Sequence, residues 1–376
     1  MTEPWSDSQK SLLEAARRFA ELSLRPRPAS ADFDRWAWDA CAREGILGAS
    51  LPSDWGGGAH DALTTVGLFE ALGRGGGERG LLFAMSAHLF GVAVAVSRFG
   101  SEAQKDFWGG RLARGGAVGA LAITEESGGS NLSDMTTIAE DGEAGVRIRG
   151  AKTLVTNGPV ADLFLLIASE NPRRGLLGLT AFLLPRDTPG LCVKPLTPTL
   201  GLAAAPMARL ELRDCLLPKE AILGRSGGGF AVIKVSMQWE RTCLLAGFLG
   251  AAERDLDGCL KYVRGRRVGT GSLYDHQAVS HRLAHQRCRL EAARQLLYRG
   301  ALAIDRQEDP LLWPAMVKLF VSEFIIGCAE EILRTYAGSG WLDGHGAGTA
   351  LRDVMALVSA SGTSDVMLNI ISACIK

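Results

Sequence analysis

Hydrophobic residues recur at intervals of three and four along the first third of the chain, from Ser8 to about Ala117. The first of these apolar positions are Leu12, Leu13, Ala16, Phe19 and Leu22. This spacing is the period of an α-helix with one apolar face. We therefore expect residues 1–118 to form an all-α domain.

Short apolar runs replace the helical pattern between about residues 118 and 224. They are separated by Asp-Gly, Asn-Pro and Pro-Gly pairs, which favour turns. The runs are Val146–Ile148, Leu163–Ile167, Leu179–Leu184 and Ala208–Leu212. Runs of this length between turns are typical of strands, so residues 119–225 are predicted to form a small antiparallel sheet or barrel.

Long helical patterns return after the glycines at 227–229. The predicted helices cover roughly residues 230–265, 275–305, 312–336 and 350–373. Pro314 falls in the first turn of the third helix, where a missing amide hydrogen costs little. Four long helices joined by short links predict a four-helix bundle over residues 226–376 and an α+β multidomain fold overall.

Composition and charge exclude several classes of protein. Among the 376 residues, 47% are hydrophobic and 22% are charged, which is ordinary for a globular chain and argues against disorder. The 41 basic and 41 acidic residues cancel, so no broad field favours nucleic acid or an anionic membrane. The N-terminus is acidic and polar, and no apolar run reaches about 18 residues, so we expect a cytoplasmic protein without membrane insertion.

The cysteines and histidines give no metal-site pattern. Eight cysteines are scattered singly, without a Cys-x-x-Cys pair, which favours reduced thiols in the core. His281 and His285 are one helical turn apart, but the Glu of a metalloprotease motif is missing between them. No bound metal is expected. Gly75–Gly80 matches Gly-x-Gly-x-x-Gly but follows a helical pattern rather than a strand, so we interpret it as a loop.

Two segments rich in small and hydroxyl residues lie on either side of a strand-like run. They are Leu121–Ser130 and Gly150–Asn157. Thr124 and Thr156 each follow a β-branched residue beside a turn or loop, so both can present a hydroxyl and a backbone N–H to a planar ligand rich in acceptors. A flavin ring is such a ligand.

These segments resemble the acyl-CoA dehydrogenase superfamily, whose members show Thr-Glu-Pro-x-x-Gly-Ser-Asp followed by Gly-x-Lys-x-x-Ile-Thr-Asn. Further matches occur in the same order along nearly the whole chain: Glu44–Pro52 with Trp55–Gly58, Tyr262 with Arg266, Leu273 and Gln277, and Arg352-Asp353 before Gly362–Ser364. The resemblance implies helices, then strands, then a four-helix bundle. It also implies FAD, an acyl thioester substrate, an electron-transfer flavoprotein or oxygen as acceptor, and a homodimer or homotetramer.

The catalytic base of most members is a Glu just before Gly-Thr-Ser, and this chain has Ser361 there. Other members place the Glu on the first bundle helix before an Arg, where this chain has Glu240-Arg241. Helical spacing aims Glu240 among Met237, Cys243, Leu244 and Gly247, so burial would raise its pKa toward that of a base. The alternative is a solvated pair on the helix surface.

The resemblance also implies roles for residues around this base. The N–H of Ser361 would polarise the thioester carbonyl, and Ser130, Arg241 and Gly362 would contact the substrate. The implied cofactor-binding residues are Ile123, Thr124, Gly129, Ser130, Leu154, Thr156, Arg266, Gln277, Gly338 and Thr363, some of them serving a neighbouring subunit. The chain departs from the family at Gly269-Thr270, Arg334, Ala337 and Leu154, which puts the shape of the FAD site in question.

Three functions remain open from the sequence. The first is FAD-dependent α,β-dehydrogenation of an acyl thioester, on coenzyme A or on a carrier protein. A carrier is suggested because Ala203–Ala205 replaces the Arg-x-Ser of the family. The second is a flavin-dependent oxygenase or oxidase on the same fold, and the third is a catalytically silent thioester-binding homologue.

Overall fold

The computed structural model describes residues 5–24, 33–196, 198–342 and 344–376. Residues 1–4, on which part of the expectation of a cytoplasmic protein rested, lie outside the described residues. The first helices are Asp7–Ser23 (α1), Arg35–Arg43 (α2), Ala62–Arg74 (α3), Arg79–His88 (α4), Val94–Phe99 (α5) and Glu102–Ala113 (α6). A π-helical turn, Leu89–Ala93, joins α4 to α5. The N-terminal part of the chain is therefore helical, as the periodicity predicts.

The apolar face of α1 is narrower than its sequence suggests. Ala16 and Ala20 are buried, and Leu12, Leu13 and Phe19 pack against the core while partly exposed. Leu22, in contrast, is 82% exposed. Its spacing fits the apolar face, but α1 ends one residue later and nothing in the described structure covers it.

A seven-stranded sheet forms the middle of the chain. Its strands are Gly119–Ala122 (β1), Ile138–Gly142 (β2), Gly145–Thr156 (β3), Leu163–Ser169 (β4), Leu179–Pro185 (β5), Leu191–Leu196 (β6) and Met207–Leu217 (β7). The order is β1-β4-β2-β3-β7-β6, and β5 also pairs with β4. The predicted antiparallel sheet is wrong in one respect: β1 and β2 run parallel to β4, so the sheet is mixed.

Strand β4 separates two hydrophobic cores. Leu163, Leu165 and Ile167 face the core shared with the helices, whereas Phe164 and Leu166 face the core inside the sheet. Because side chains alternate along a strand, this one short apolar run contributes side chains to both cores. Strand β1, which leads to the Thr124 segment, pairs with β4 and contributes Ala120 and Ala122 to the core inside the sheet, while Leu121 packs against the core shared with the helices.

The last third of the chain is helical. Its long helices are Gly229–Gly265 (α7), Gln277–Asp305 (α8) and Leu312–Tyr336 (α9), with a short hairpin of Arg267–Val268 (β8) and Gly271–Ser272 (β9) between the first two. The predicted fourth helix is broken into Ala347–Val354 (α10) and Ser364–Cys374 (α11). The break is explained by Ser361 and Gly362, whose φ angles of +56° and +114° are incompatible with a right-handed helix.

Glycines allow α3 and α7 to cross closely. A Cβ at Gly73 would meet the carbonyl oxygen of Gly247, and a Cβ at Gly250 would meet that of Glu70. Contact this close between helix backbones requires residues without side chains. The crossing brings the N-terminal helices against the first bundle helix, which carries Glu240.

Two helical stretches among the described residues, Arg79–Phe99 and Leu312–Ser339, are long and apolar enough to span a membrane by length and composition. The most apolar window of the first is 94% buried inside the protein, and that of the second is 56% buried. The apolar surface of the first stretch therefore belongs to the protein's own core.

Candidate active site

Glu240 is a buried carboxyl group in the first third of α7. It is 7% exposed, and Cys243, Leu244 and Gly247 on the same helix are buried with it, as the helical spacing predicts. Burial raises the pKa of Glu240 to about 7, while a hydrogen bond from Ser361 and the charge of Arg241 limit the rise. Glu240 is therefore not part of a solvated surface pair, and its pKa suits a base at neutral pH.

The two carboxylate oxygens of Glu240 face different neighbours. Oε2 accepts a hydrogen bond of 2.9 Å from the hydroxyl of Ser361. Oε1 faces Gly91 in the π-helical turn, where an added Cβ would lie 2.5 Å from it. The same Cβ would lie 3.5 Å from the Cβ of Leu121, so the carboxylate and the end of β1 are neighbours.

Arg241 contacts the segment that carries Ser361. Its Nε donates a hydrogen bond of 3.0 Å to the carbonyl oxygen of Ser361. A Cβ at Gly362 would lie 3.6 Å from Arg241 Nη2. The structure thus brings together Glu240, Arg241, Ser361 and Gly362, four of the residues that the sequence pointed to. Ser130, also expected at the site, lies in an exposed loop after Gly129.

The two threonine-bearing segments lie side by side. The amide nitrogen of Thr153 donates a hydrogen bond of 2.8 Å to the carbonyl oxygen of Thr124. The hydroxyls of Thr124 and Thr156 are partly exposed and make no hydrogen bond to the described residues. Both are therefore available to a ligand, as the sequence predicts.

A buried ion pair links these two segments. Lys152 is fully buried, and its Nζ donates hydrogen bonds of 2.8 Å to Glu125 and 3.0 Å to the carbonyl oxygen of Ile123. Burial opposes the charge on Glu125, but Lys152 and bonds from Thr136 and Thr137 outweigh it and lower its pKa to about 2. Sequence reasoning assigned no role to this pair, although both residues stand inside the quoted motifs.

The donors and the space around the threonines fit a flavin. A Cβ at Gly129 would lie 3.0 Å from Thr124 Cγ2, so the glycine leaves room for that side chain. Leu154 has a φ of +54° and is 59% exposed, beside Thr156. Free hydroxyls next to an exposed apolar side chain suit a ligand that is planar and partly polar.

The remaining predicted cofactor residues lie elsewhere. Arg266 and Gln277 are exposed where α7 leads into α8, and Gly338 is exposed just beyond α9. Tyr262 and Tyr336, with ring centroids 4.7 Å apart, connect these two regions. Thr363, two residues after Ser361, instead caps α11. Its hydroxyl oxygen accepts a hydrogen bond from the amide of Val366.

The glycine-rich segment Gly75–Gly80 is a loop only in its first part. Gly75, Gly76 and Gly77 lie between α3 and α4, whereas Gly80 already belongs to α4. His281 and His285 are exposed on α8. No group of three or more potential metal ligands occurs among the residues that the structure describes.

Comparison with known proteins identifies the family. Residues 6–116, 120–215 and 227–376 match the acyl-CoA dehydrogenase N-terminal, middle and C-terminal domains, respectively. The chain belongs to the acyl-CoA dehydrogenase family. It is accordingly an FAD-dependent oxidoreductase of acyl thioesters, with a helical N-terminal domain, a central sheet and a helical C-terminal domain.

Several relatives of this acyl-CoA dehydrogenase family member are named for prolyl substrates. An L-prolyl-[peptidyl-carrier protein] dehydrogenase from Pseudomonas fluorescens is 36% identical over 340 residues, 90% of each chain. The crystal structure of the prolyl acyl carrier protein oxidase AnaB has a TM-score of 0.96 at 32% identity, covering 99% of both chains. A structure of PigA with FAD and proline has a TM-score of 0.97 at 32% identity, covering 100% of this chain and 99% of that one.

Proposed function

We propose that this protein desaturates the Cα–Cβ bond of a prolyl thioester held on a carrier protein, with Glu240 as the base. The observation that carries the proposal is the buried carboxylate of Glu240, whose pKa is raised to about 7 beside the end of β1. The relatives named above support prolyl and carrier-protein recognition. A coenzyme A thioester is the alternative substrate.

The chain's own residues supply the proton chemistry. Glu240 takes the α-proton of the thioester and becomes a neutral carboxylic acid. The backbone N–H of Ser361 donates to no described acceptor and would polarise the thioester carbonyl, which makes that proton more acidic. FAD, when bound between the threonine-bearing segments, supplies the acceptor for the hydride that leaves the β-carbon.

Residues Ala203–Ala205 support a carrier protein over coenzyme A. Ala204 and Ala205 are each 2% exposed, and Ala204 packs against Gly80 at the start of α4. These alanines offer no side-chain hydrogen bond where relatives have Arg and Ser. A carrier-bound arm lacks the nucleotide of coenzyme A and loses nothing by their absence.

The electron acceptor, assembly and location are further parts of the proposal. For the acceptor we retain an electron-transfer flavoprotein and molecular oxygen. We propose a homodimer or homotetramer, because Arg266, Gln277 and Gly338 lie apart from the threonine-bearing segments within one chain. A cytoplasmic location is supported by eight cysteines that are all free.

The test is a thioester panel with purified holoenzyme. Prolyl-carrier protein should lose two hydrogens by mass, and prolyl-coenzyme A should react more slowly. Acetyl-carrier protein is the matched control, because an acetyl group has no β-hydrogen to transfer. If prolyl-coenzyme A reacts as fast as prolyl-carrier protein, the proposed recognition of the carrier is wrong.

Other outcomes of the panel separate the alternatives. A product gaining one oxygen would show an oxygenase, and oxygen consumption during desaturation would identify oxygen as the acceptor. Colourless protein that retains no FAD after reconstitution would show a silent homologue.

A further inference from the structure

The turn between α10 and α11 is strained at one residue, Ser361. After a short 3-10 helix, Met355–Val358, the chain turns through Ser361 and Gly362 with φ angles of +56° and +114°. Glycine adopts such angles freely, but serine pays on the order of 1 kcal/mol or more in this region. Strain of this kind persists only where the surrounding structure fixes it.

Two cationic side chains hold this turn in place. Lys318 of α9 is 2% exposed, and its Nζ donates a hydrogen bond of 2.6 Å to the carbonyl oxygen of Leu357. Arg241 of α7 donates its bond of 3.0 Å to the carbonyl oxygen of Ser361. Charge-assisted bonds from two different helices therefore anchor the backbone on both sides of Ala360.

The anchored turn places the side chain of Ser361 against Glu240. The Ser361 hydroxyl donates its 2.9 Å bond to Glu240 Oε2, across 121 residues of sequence. On the opposite side Gly91 closes against Oε1. The carboxylate is thus held between a hydroxyl and a backbone with no side chain.

We propose that Ser361 is a positioning residue, whose hydroxyl orients Glu240 and stabilises its carboxylate form for proton abstraction. This proposal rests on the proposed base role of Glu240. It is separate from the role of the Ser361 backbone N–H, which any residue at 361 retains. A hydrogen bond donated to the charged form of an acid favours that form.

The charged surroundings of Glu240 determine the expected direction. Arg241 lies on the same helix as Glu240, and Lys318 of α9 is close enough to Arg241 for the two charges to repel each other. The π-helical turn and β1 contribute Gly91 and Leu121, which are uncharged. Removal of the hydroxyl therefore leaves burial opposed mainly by Arg241, so the pKa of Glu240 rises further.

The expected effect is on the pH dependence of flavin reduction. The rate falls as the pH drops through the pKa of Glu240, because a protonated carboxyl cannot accept the α-proton. For Ser361→Ala this acidic limb should move up by about one to two pH units. The free energy of a hydrogen bond to a charged group corresponds to a pKa change of about that size. At pH values where both enzymes are on the acidic limb, the variant's rate should be about 10- to 100-fold below that of the wild type.

A second variant at 361 separates the effect of the hydroxyl from that of the backbone strain. Ser361→Gly removes the hydroxyl and relieves the strained φ, so it should shift the limb as Ser361→Ala does. Ser359→Ala is the matched control, because this exposed serine in the same turn has no side-chain hydrogen bond with described residues. Its profile should equal that of the wild type.

The outcomes distinguish this inference from the proposed function. If the wild type reduces its flavin with thioester but both variants at 361 keep the wild-type limb, the positioning role is wrong and the proposed function stands. If Ser361→Ala shifts the limb but Ser361→Gly does not, loss of the hydroxyl alone does not shift it, and the inference is again wrong. If no thioester reduces the flavin of the wild type, the proposed function itself fails.

Discussion

The ion pair of Lys152 and Glu125 links the two segments proposed to hold the flavin. Lys152 is fully buried and Glu125 is 5% exposed. The lysine also binds the carbonyl oxygen of Ile123, directly before Thr124. Because a buried charge without its partner is costly, each residue depends on the other.

Lys152→Met should destabilise the protein and weaken FAD retention. Loss of the cation leaves Glu125 buried without its counter-charge, which costs about 3–5 kcal/mol. Denaturant unfolding and retained flavin absorbance measure both effects. Lys219→Met removes an exposed pair between the turn after β7 and Asp141 of β2, and should cost less than about 1 kcal/mol. Equal losses in the two variants would contradict the assigned role.

At the residue scale, the sequence predicted the surroundings of a residue along its own helix or strand, but not its contacts with distant parts of the chain. The family resemblance singled out Glu240, and helical spacing along α7 predicted its apolar, buried surroundings. Its contact with Ser361 was not predicted, because local patterns carry no information about pairs so distant in sequence. The Lys152–Glu125 pair was missed for the same reason, although its residues flank the two threonines.

The π-helical turn is an element that the sequence did not reveal. Its residues, Leu89–Ala93, are all buried and read as an ordinary helix. An extra residue in a helical turn displaces backbone groups, and such turns are frequent at functional sites. Here the Gly91 carbonyl oxygen accepts a bond of 2.8 Å from Ser236, and its Cα faces Glu240.

Gly91→Ala should impair activity with little loss of stability. The added Cβ would lie 2.5 Å from Glu240 Oε1 and force the carboxylate to move. We expect at least about a 10-fold slower flavin reduction, since small misplacement of a base is costly. Gly258→Ala on α7, where the nearest side-chain atom is 3.8 Å away, should leave the rate unchanged. A wild-type rate for Gly91→Ala would show that this contact does not position the base.

His88 of α4 connects the N-terminal helices to the first strand of the sheet. Its Nδ1 accepts a hydrogen bond from the amide of Gly119, and its Nε2 lies 3.1 Å from the carbonyl oxygen of Leu112. These partners require a neutral ring with the proton on Nε2. Burial lowers its pKa from 6.5 to about 4.

Stability should fall with acidity because of His88. As the pH drops below 6.5 the unfolded chain binds the proton first, so stability is complete above 6.5 and is lost toward pH 4. The total contribution is about 3 kcal/mol. Denaturant unfolding against pH should show a shallower slope for His88→Gln over this range, whatever its absolute stability. An unchanged slope would contradict the assignment.

At the element scale, helices and strands were predicted better than their connections. Periodicity gave the type of each segment, including the short apolar run that became β4. It could not give the parallel pairing of β1 with β4, because a run of apolar residues does not specify its neighbour. It also missed the break at 355–363, since Ser359–Ser361 carries no strong helix-breaking residue before Gly362.

The proposed FAD site is divided between distant parts of the chain. Thr124 follows β1 and Thr156 ends β3, whereas Arg266, Gln277 and Gly338 lie at one end of the long helices. A homodimer or homotetramer would let one subunit complete the site of another. The order of the three domains was predicted from the sequence, but the assembly came only from the family resemblance.

Arg266→Ala should weaken FAD retention without changing the assembly. The guanidinium is suited to the cofactor's pyrophosphate, and its loss should lower affinity by about 10-fold or more. Flavin titration of apoprotein measures affinity, and light scattering measures the oligomer. Arg267→Ala, on an adjacent exposed arginine, is the control. Unchanged affinity in Arg266→Ala, or a monomeric wild type, would contradict the divided site.

Anaerobic flavin reduction by thioester tests the central claim most directly. Wild-type holoenzyme mixed with prolyl-carrier protein should lose its flavin colour, with a rate that falls as the pH drops through about 7. Glu240→Gln keeps the size of the side chain but cannot take the proton, so its rate should be about 10²- to 10⁴-fold lower at equal FAD content. Reduction of Glu240→Gln at the wild-type rate would contradict the account.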